Sequence, residues 1–490
     1  MATPATAPAS GRTLTDAPGR RAWLALVLLC LAQLMLVLDI TVVNVALPDI
    51  GAGLGLSRAG LTWVLTGYTV AFGGLMLLGG RLADLLGARR VLLAGLAVFT
   101  AASAVSGVAG TGAVLIGGRV AQGVGAALLS PSALALVTTM FTGPRRAKAL
   151  GIWAAVGASG AALGVLLGGL LTSTAGWRWI FFINLPIGLI VAAALSPMLR
   201  SAPASRDRRD SRERRERLDM PGALTVFAAT AALIYGLISA GSHGWLSAPA
   251  LAPIGAAAVL YAAFGLLERA TARPLMQVGL LTRRPVAAGA FLMLIGTGLL
   301  VGAFFLGSFY LQQARGYSPV HAGLAFLPVA VTVALGAQAA SHLATVLDRR
   351  ALTAGALAVA AAGAAVAAHW HGPVALIAGL SIVAAGAGAT LVAATTIALA
   401  DAQPAEAGLR SGVVSTFHEL GSAFGIAVLS SLAAPSLAAA AGGGGSTSPT
   451  GFTRAFAACA VAALIAAVIA GLAAPRGRAI AAAGPHGHGH

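Results

Sequence analysis

A chain of 490 residues that is 58% hydrophobic and only 9% charged has too few polar groups to cover a water-facing surface, since soluble domains carry about 25% charged residues. This composition excludes an ordinary soluble enzyme and makes lipid the surrounding solvent. The net charge of +17 would suit nucleic acid if it were gathered on one soluble face, but it is dispersed between long apolar runs.

Apolar runs of about 20 residues cross a bilayer core, and fourteen such runs are separated by charged or Pro/Gly-rich breaks. They predict an all-α polytopic membrane protein with fourteen spans. None of the runs has the alternating polarity over about ten residues that marks a barrel strand. A tail over 1–20 ends at a pair of arginines. The first run carries no A-x-A-like cleavage site, so it reads as a retained helix rather than a removed signal. Six runs, starting near Arg21, Gly60, Arg89, Thr111, Ala147 and Arg178, form a predicted six-helix unit over 21–199. Residues 200–219 follow, with eight arginines and five acids, the pattern of a solvated linker. Two further runs, from Met220 and Pro249, form an inserted pair over 220–269, and a basic loop covers 270–285. The last six runs start near Val286, Ala322, Ala351, Gly372, Ser411 and Phe452 and form a second six-helix unit over 286–474. Gly442 to Gly445 read as a flexible loop tip. The tail over 475–490 ends in alternating His and Gly, which reads as a disordered end rather than a metal site.

Two halves of six spans are a common plan for transporters, and a short echo supports it. The loop over 80–90, GRLADLLGARR, has a counterpart over 342–350, HLATVLDRR. Of the 31 Lys and Arg residues, the outer loops hold Arg58, Arg178, Arg315 and Arg454, and a span interior holds Arg119; the rest lie in inner segments. This bias predicts that both termini are cytoplasmic. Cys30 and Cys459 both fall within spans, so neither a disulfide nor a metal-ligand spacing is expected.

Of fourteen acids, only Asp39 in span one and Glu419 in span thirteen fall at mid-membrane. A charge there costs about 2.5–3.5 kcal/mol on insertion scales and usually marks a pathway. The alternative for each is a structural partner: Arg119 in span four for Asp39, and His418 for Glu419. Arginine keeps its charge and needs a partner, so Asp39 and Arg119 are expected to pair if spans one and four meet. Gly157, Gly160, Gly164 and Gly168 recur at steps of three and four along span five and offer one smooth face to another helix, either a static seam or one along which halves move.

These segments resemble the major facilitator superfamily and, within it, the fourteen-span drug:proton antiporter family, over nearly all of the chain outside the tails and linker. Residues 38–48, LDITVVNVALP, look like that family's first-helix motif, and residues 119–123, RVAQG, like its fourth-helix motif. Residues 177–188, WRWIFFINLPIG, and YLQQ at 310–313 followed by GYSP at 316–319 are similar to segments specific to the fourteen-span branch. Residues 80–90 look like the superfamily's loop motif. Two departures stand out: span five has Gly164-Val165 where the antiporter motif has Gly-Pro, and span thirteen has His418-Glu419 where the family often has Arg-Gln.

The resemblance implies two six-helix bundles plus two inserted helices, working as a monomer in the cell membrane. It implies proton-driven export of hydrophobic or amphipathic small molecules, drugs or antibiotics among them, with no cofactor and no nucleic-acid partner. It associates Arg119 with proton transfer, and the two mid-membrane acids, Asp39 first and Glu419 second, are the expected carboxylates of proton coupling. Gating falls to Gly80, Asp84, Gly87, Arg89 and Arg90, with Asp84 and Arg90 latching the halves on the inner side, and to Gly160, Gly164 and Gly168. The candidates for the substrate cavity are Asn44, Gln122, Tyr310, Gln313 and His418. Transport of one specific metabolite is the alternative. A membrane-embedded sensor or enzyme is disfavoured, since no loop is long enough for a soluble domain and no nucleophile motif, metal cluster or P-loop is present.

Overall fold

In the computed structural model the described residues are 19–198, 219–271, 274–276, 279–344, 346–369, 372–400, 402–403, 406–441 and 450–474. Both expected tails, nearly all of the charged linker and the four-glycine tip lie outside them. The regular structure is helical throughout. The first six expected spans are α1 (Arg20–Leu54), α2 (Arg58–Leu86), α3 (Ala88–Gly107), α4 (Gly112–Met140), α5 (Gly143–Thr174) and the pair α6 (Trp179–Phe182) and α7 (Asn184–Met198). The inserted pair is α8 (Met220–His243) and α9 (Ala248–Ala270). A short α10 (Gly279–Thr282) leads into α11 (Arg284–Phe309), which runs on through a π-helical turn (Tyr310–Ala314). Then come α12 (Pro319–Ala325), α13 (Leu327–Leu343), α14 (Arg349–His369), α15 (Pro373–Ala398), α16 (Ala407–Ala441) and α17 (Thr450–Ala473).

Hydrocarbon offers no partner to a backbone N–H or C=O, and a helix satisfies both within its own segment. Thirteen helical stretches among the described residues are long and apolar enough to cross a membrane. The expected fifth span is α5, 32 residues long, or about 48 Å at 1.5 Å per residue. Proline explains where two spans break. Its ring clashes with the carbonyl four residues back and it lacks an N–H. Pro186 forces the break at Ile183 between α6 and α7, and Pro328 the break at Phe326 between α12 and α13. α5 has Val165 where a proline would bend it, and it is unbroken. At the α2–α3 junction Gly87 takes φ 89°, a conformation open to glycine and strained for any side chain.

The helices pair twice in the same pattern. In the first half α2 packs on α4, α3 on α4, α1 on α5, and α7 on both α1 and α3. In the second half α13 packs on α15, α14 on α15, α11 on α16, and α17 on both α11 and α14. The loop echo extends to side chains. Arg89 Nη2 donates to Ser196 O at the end of α7, 3.0 Å, and Arg350 Nε donates to Ala474 O just beyond α17, 2.7 Å. The halves meet through α2 with α16 and α5 with α13. α8 lies against α2 and α16, outside this core, where Trp63 stacks on Tyr235 at 6.0 Å and Trp245 Nε1 donates to Ser431 Oγ at 3.0 Å. α9 packs on α8 and turns Leu251, Val259 and Leu266 outward.

The glycine face of α5 seats α1 of its own half. A Cβ on Gly160 would lie 2.7 Å from Val37 Cγ1, and one on Gly168 3.1 Å from Val42 Cα; Gly164 rests on Thr41 and Leu38. In this structure Gly160, Gly164 and Gly168 therefore pack within the first half, against α1. Gly168→Val is expected to lower stability by about 1–3 kcal/mol through overpacking. Gly157→Ala, whose added methyl meets nothing within 4 Å, should leave it unchanged. Chemical unfolding in detergent micelles distinguishes the two.

Candidate functional site

Three features occupy the centre and one end of the molecule. The first is a polar cluster buried inside the first half. Arg119 on α4 reaches Asp39 on α1, and both side chains are excluded from solvent. Arg119 Nη1 bonds Asp39 Oδ2, and the same guanidinium donates to Gln122 Oε1 at 3.1 Å and, through Nε, to Val64 O at 3.1 Å. Asp39 Oδ1 accepts from Gln122 Nε2 at 2.9 Å and from Asn184 Nδ2 at 3.0 Å. Ser103 Oγ accepts from Gln122 Nε2 and Asn184 Nδ2, at 3.1 and 2.9 Å, and donates to Phe181 O at 3.0 Å. Ser106 Oγ donates to Gln122 Oε1 at 3.4 Å. The guanidinium also lies over the Tyr68 ring, 4.4 Å from its centroid. The cluster thereby ties α1, α2, α3, α4 and α7 together.

Sequence reasoning finds the Asp39–Arg119 pair and misses most of its shell. Asn184 lies within the 177–188 segment but carries no assigned role there. Ser103, Ser106 and Tyr68 are ordinary polar residues in apolar runs, and only their three-residue spacing along α3 hints at a shared face for the two serines.

The second feature is a cavity of about 240 Å³ between the halves, walled by α1, α2, α4 and α5 on one side and α11, α13, α15 and α16 on the other. Phe72, Trp153 and Phe304 give it an aromatic, largely apolar wall. Glu419 is its one carboxylate and His418 its one imidazole among the described residues. His418 Nδ1 lies 3.1 Å from Thr297 Oγ1 on α11, so this ring nitrogen bonds across to a neighbouring helix.

Three of the other polar candidates for this cavity, Asn44, Gln122 and Tyr310, lie elsewhere. Gln122 belongs to the buried cluster, because its amide is consumed by Asp39, Arg119 and Ser103. Asn44 is exposed one turn beyond Ile40 and Thr41, and it donates to Ile40 O at 3.0 Å. Tyr310 packs edge-on against Phe452 at 5.4 Å, since the π-helical turn swings it to α17. Gln313 falls in the same turn, and its side chain lies outside the described residues. Asp39 does not line the cavity, but Val37, Ile40 and Thr41 on the same helix do.

The third feature is a seam at the α2–α3 end. Asp84 Oδ1 accepts from Gly408 N and Oδ2 from Leu409 N, both at 2.7 Å. These amides open α16 of the other half, so the carboxylate meets the partial positive charge of a helix N-terminus. Gly80 lets the backbones touch: a Cβ there would lie 3.1 Å from Gly412 Cα. Arg146 Nη2 on α5 donates to Leu399 O beyond α15 at 2.7 Å, a second tie between halves at this end. Arg90 is exposed on the first turn of α3 and Arg89 binds its own half, so the cross-half latch rests on Asp84 and not on these arginines. In the echoed loop Asp348 Oδ2 accepts from Arg350 N of its own helix, 3.1 Å.

Removing one member of a buried ion pair strands the other, at a cost of about 3–5 kcal/mol. Removing a neutral donor costs about 1–3 kcal/mol. Arg119→Ala is therefore expected to destabilise the fold more than Asn184→Ala, in the same unfolding assay.

The sequence profile of the Major Facilitator Superfamily matches residues 29–426. The puromycin resistance protein pur8 of Streptomyces alboniger is 38% identical over 434 residues, covering 86% of this chain and 84% of that protein. The cephamycin export protein of Amycolatopsis lactamdurans is 37% identical, over 83% of this chain and 84% of its own. The lincomycin resistance protein of Streptomyces lincolnensis is 38% identical, over 85% of each chain. Among solved structures, the proton:xylose symporter XylE aligns over 95% of this chain and 98% of its own with a TM-score of 0.65 at 15% identity, a likeness of fold alone. With this profile match, these relatives and this helix arrangement, the chain belongs to the Major Facilitator Superfamily and is a multi-pass membrane transporter.

Proposed function

We propose that this transporter exports amphipathic, drug-like molecules bearing a cationic group across the cell membrane in exchange for protons, as a monomer and without a cofactor. The observation that carries the reading is the cavity between the halves, whose apolar and aromatic wall holds the single carboxylate Glu419. Such a chamber suits a ligand with a large apolar body and one charge. The names of the relatives, which concern resistance to or export of antibiotics, support the same substrate class.

The bias of Arg and Lys toward one set of loops supports cytoplasmic termini. The Asp84 seam then faces the cytoplasm, and the structure corresponds to a state closed on that side. In the proposed cycle Asp39 takes a proton from outside and loses the charge that holds Arg119. α1 carries both Asp39 and part of the cavity wall, so release of the pair reshapes the chamber. Substrate held by Glu419 leaves outward. The proton departs inward, the pair re-forms, and Glu419 receives the next cation.

The test is puromycin flux in proteoliposomes under an imposed pH gradient, with equilibrium binding measured alongside. Asp39→Asn is expected to abolish gradient-driven accumulation while keeping the Kd within about twofold. Glu419→Gln is expected to weaken binding about tenfold, equivalent to about 1.4 kcal/mol. Asp84→Asn removes the charge from both contacts and leaves one of the two backbone amides without an acceptor, and it should slow turnover with binding intact. Full accumulation by Asp39→Asn alongside its loss in Glu419→Gln would move the proton site to the second half.

A further inference from the structure

Tyr68 is the one member of the buried cluster whose polar atom is unused. Its side chain is fully enclosed, and its hydroxyl oxygen has no hydrogen-bond partner among the described residues. Buried hydroxyls are seldom left unmatched. One that persists on α2, the helix that meets α16 of the other half, points to a partner acquired in another state. The ring is held in place by the Arg119 guanidinium above it and by Phe72 one turn on, with ring centroids 5.5 Å apart. Three charged groups lie within electrostatic reach of the hydroxyl: Asp39 on α1, Arg119 on α4 and Glu419 on α16.

Of these, arginine cannot accept a hydrogen bond, and Asp39 already has both oxygens engaged by Arg119, Gln122 and Asn184. Glu419 is the acceptor that remains. Tyr68 and Glu419 sit on the two helices that meet at the half interface, α2 and α16. Five residues along α2 from Tyr68, Gly73 already abuts this acid: a Cβ there would lie 3.4 Å from Glu419 Cβ. Measured from the Asp84 seam, Glu419 lies about 15 Å along α16 and Tyr68 about 24 Å along α2, at 1.5 Å per residue. Rocking that parts the halves at the seam brings the far portions of these helices together.

We propose that Tyr68 is a positioning residue that couples the two carboxylates: when the Asp84 seam opens, its hydroxyl donates a hydrogen bond to the Glu419 carboxylate across the half interface. Tyr68 keeps its own proton throughout. Its ring follows Arg119, and thereby the state of Asp39, while its hydroxyl competes with a cationic ligand for Glu419. The inference rests on the alternating use of the seam in the export cycle, but not on the identity of the substrate.

The test uses the full chain in lipid nanodiscs, in a background lacking Cys30 and Cys459, with spin labels at the exposed positions Leu86 and Gln403. Pulsed electron–electron distances report the seam as pH is taken from acid to alkaline. Tyr68→Phe retains the ring over Arg119 and removes only the hydroxyl. It is expected to reduce the seam-open population by about threefold at a fixed pH, a shift in a two-state equilibrium. In a Glu419→Gln background, where the acceptor has lost its charge, the same substitution is expected to have little further effect. A change that merely loosened packing would appear equally in both backgrounds. An unchanged distribution in Tyr68→Phe, an undiminished effect in the Glu419→Gln background, or a parent protein whose seam opens at no pH would each overturn the proposal. Absence of puromycin flux with the distance behaviour intact would count against the substrate reading and leave the role of Tyr68 standing.

Discussion

Apolar side chains gain little by leaving lipid for the interior of this protein, because hydrocarbon is as apolar as leucine. Close backbone approach and a few buried polar bonds must therefore hold the helices in place, and both are distributed unevenly. Glycine faces let α5 lie on α1 within the first half and let α2 meet α16 between the halves. The buried bonds are concentrated in the first half, where one ion pair and its shell of amides and hydroxyls draw five helices to a common point. The first half is thus fastened from within around Asp39 and Arg119.

The same economy separates two carboxylates that look alike in the sequence. Asp39 is enclosed by donors from its own half and does not line the cavity. Glu419 faces the cavity from the other half, surrounded by aromatic and aliphatic groups. A charge saturated with donors and a charge in an apolar chamber are suited to different work, the first to holding an arrangement of helices and the second to meeting a ligand. The Tyr68 ring lies with the first of them, against the guanidinium of Arg119.

The seam at Asp84 ties the two halves together at one end. Both halves use an arginine after the loop to close the end of their last helix, Arg89 to Ser196 and Arg350 to Ala474. The first half also sends a carboxylate, Asp84, across to the helix start of its neighbour. In the second half Asp348 is turned onto its own helix. A contact made of two backbone amides and one carboxylate needs no matching side chain, so it can break and re-form as a unit without leaving a buried charge behind.

Much of this was legible in the chain itself, because a membrane restricts the options. Without water each span must be a helix, so apolar run lengths set the helix positions, and prolines at 186 and 328 set two of the breaks. Asp39, Arg119 and Glu419 stand out because a charge among apolar residues is rare enough to see without a structure. The sequence by itself therefore determined the class, the plan of two halves with an inserted pair, and the charges Asp39, Arg119 and Glu419, while the burial of Glu268 and Arg410 emerged only in the structure. Tertiary structure alone decided which helix each glycine face meets, and it assigned the α5 face to α1 because a smooth face does not name its partner. It also moved Asn44, Gln122 and Tyr310 away from the cavity and added Asn184, Ser103 and Tyr68 to the cluster. Where a polar side chain points depends on helix rotation and on neighbours remote in the chain, and neutral amides and hydroxyls, unlike charges, cost too little to place to reveal themselves in advance.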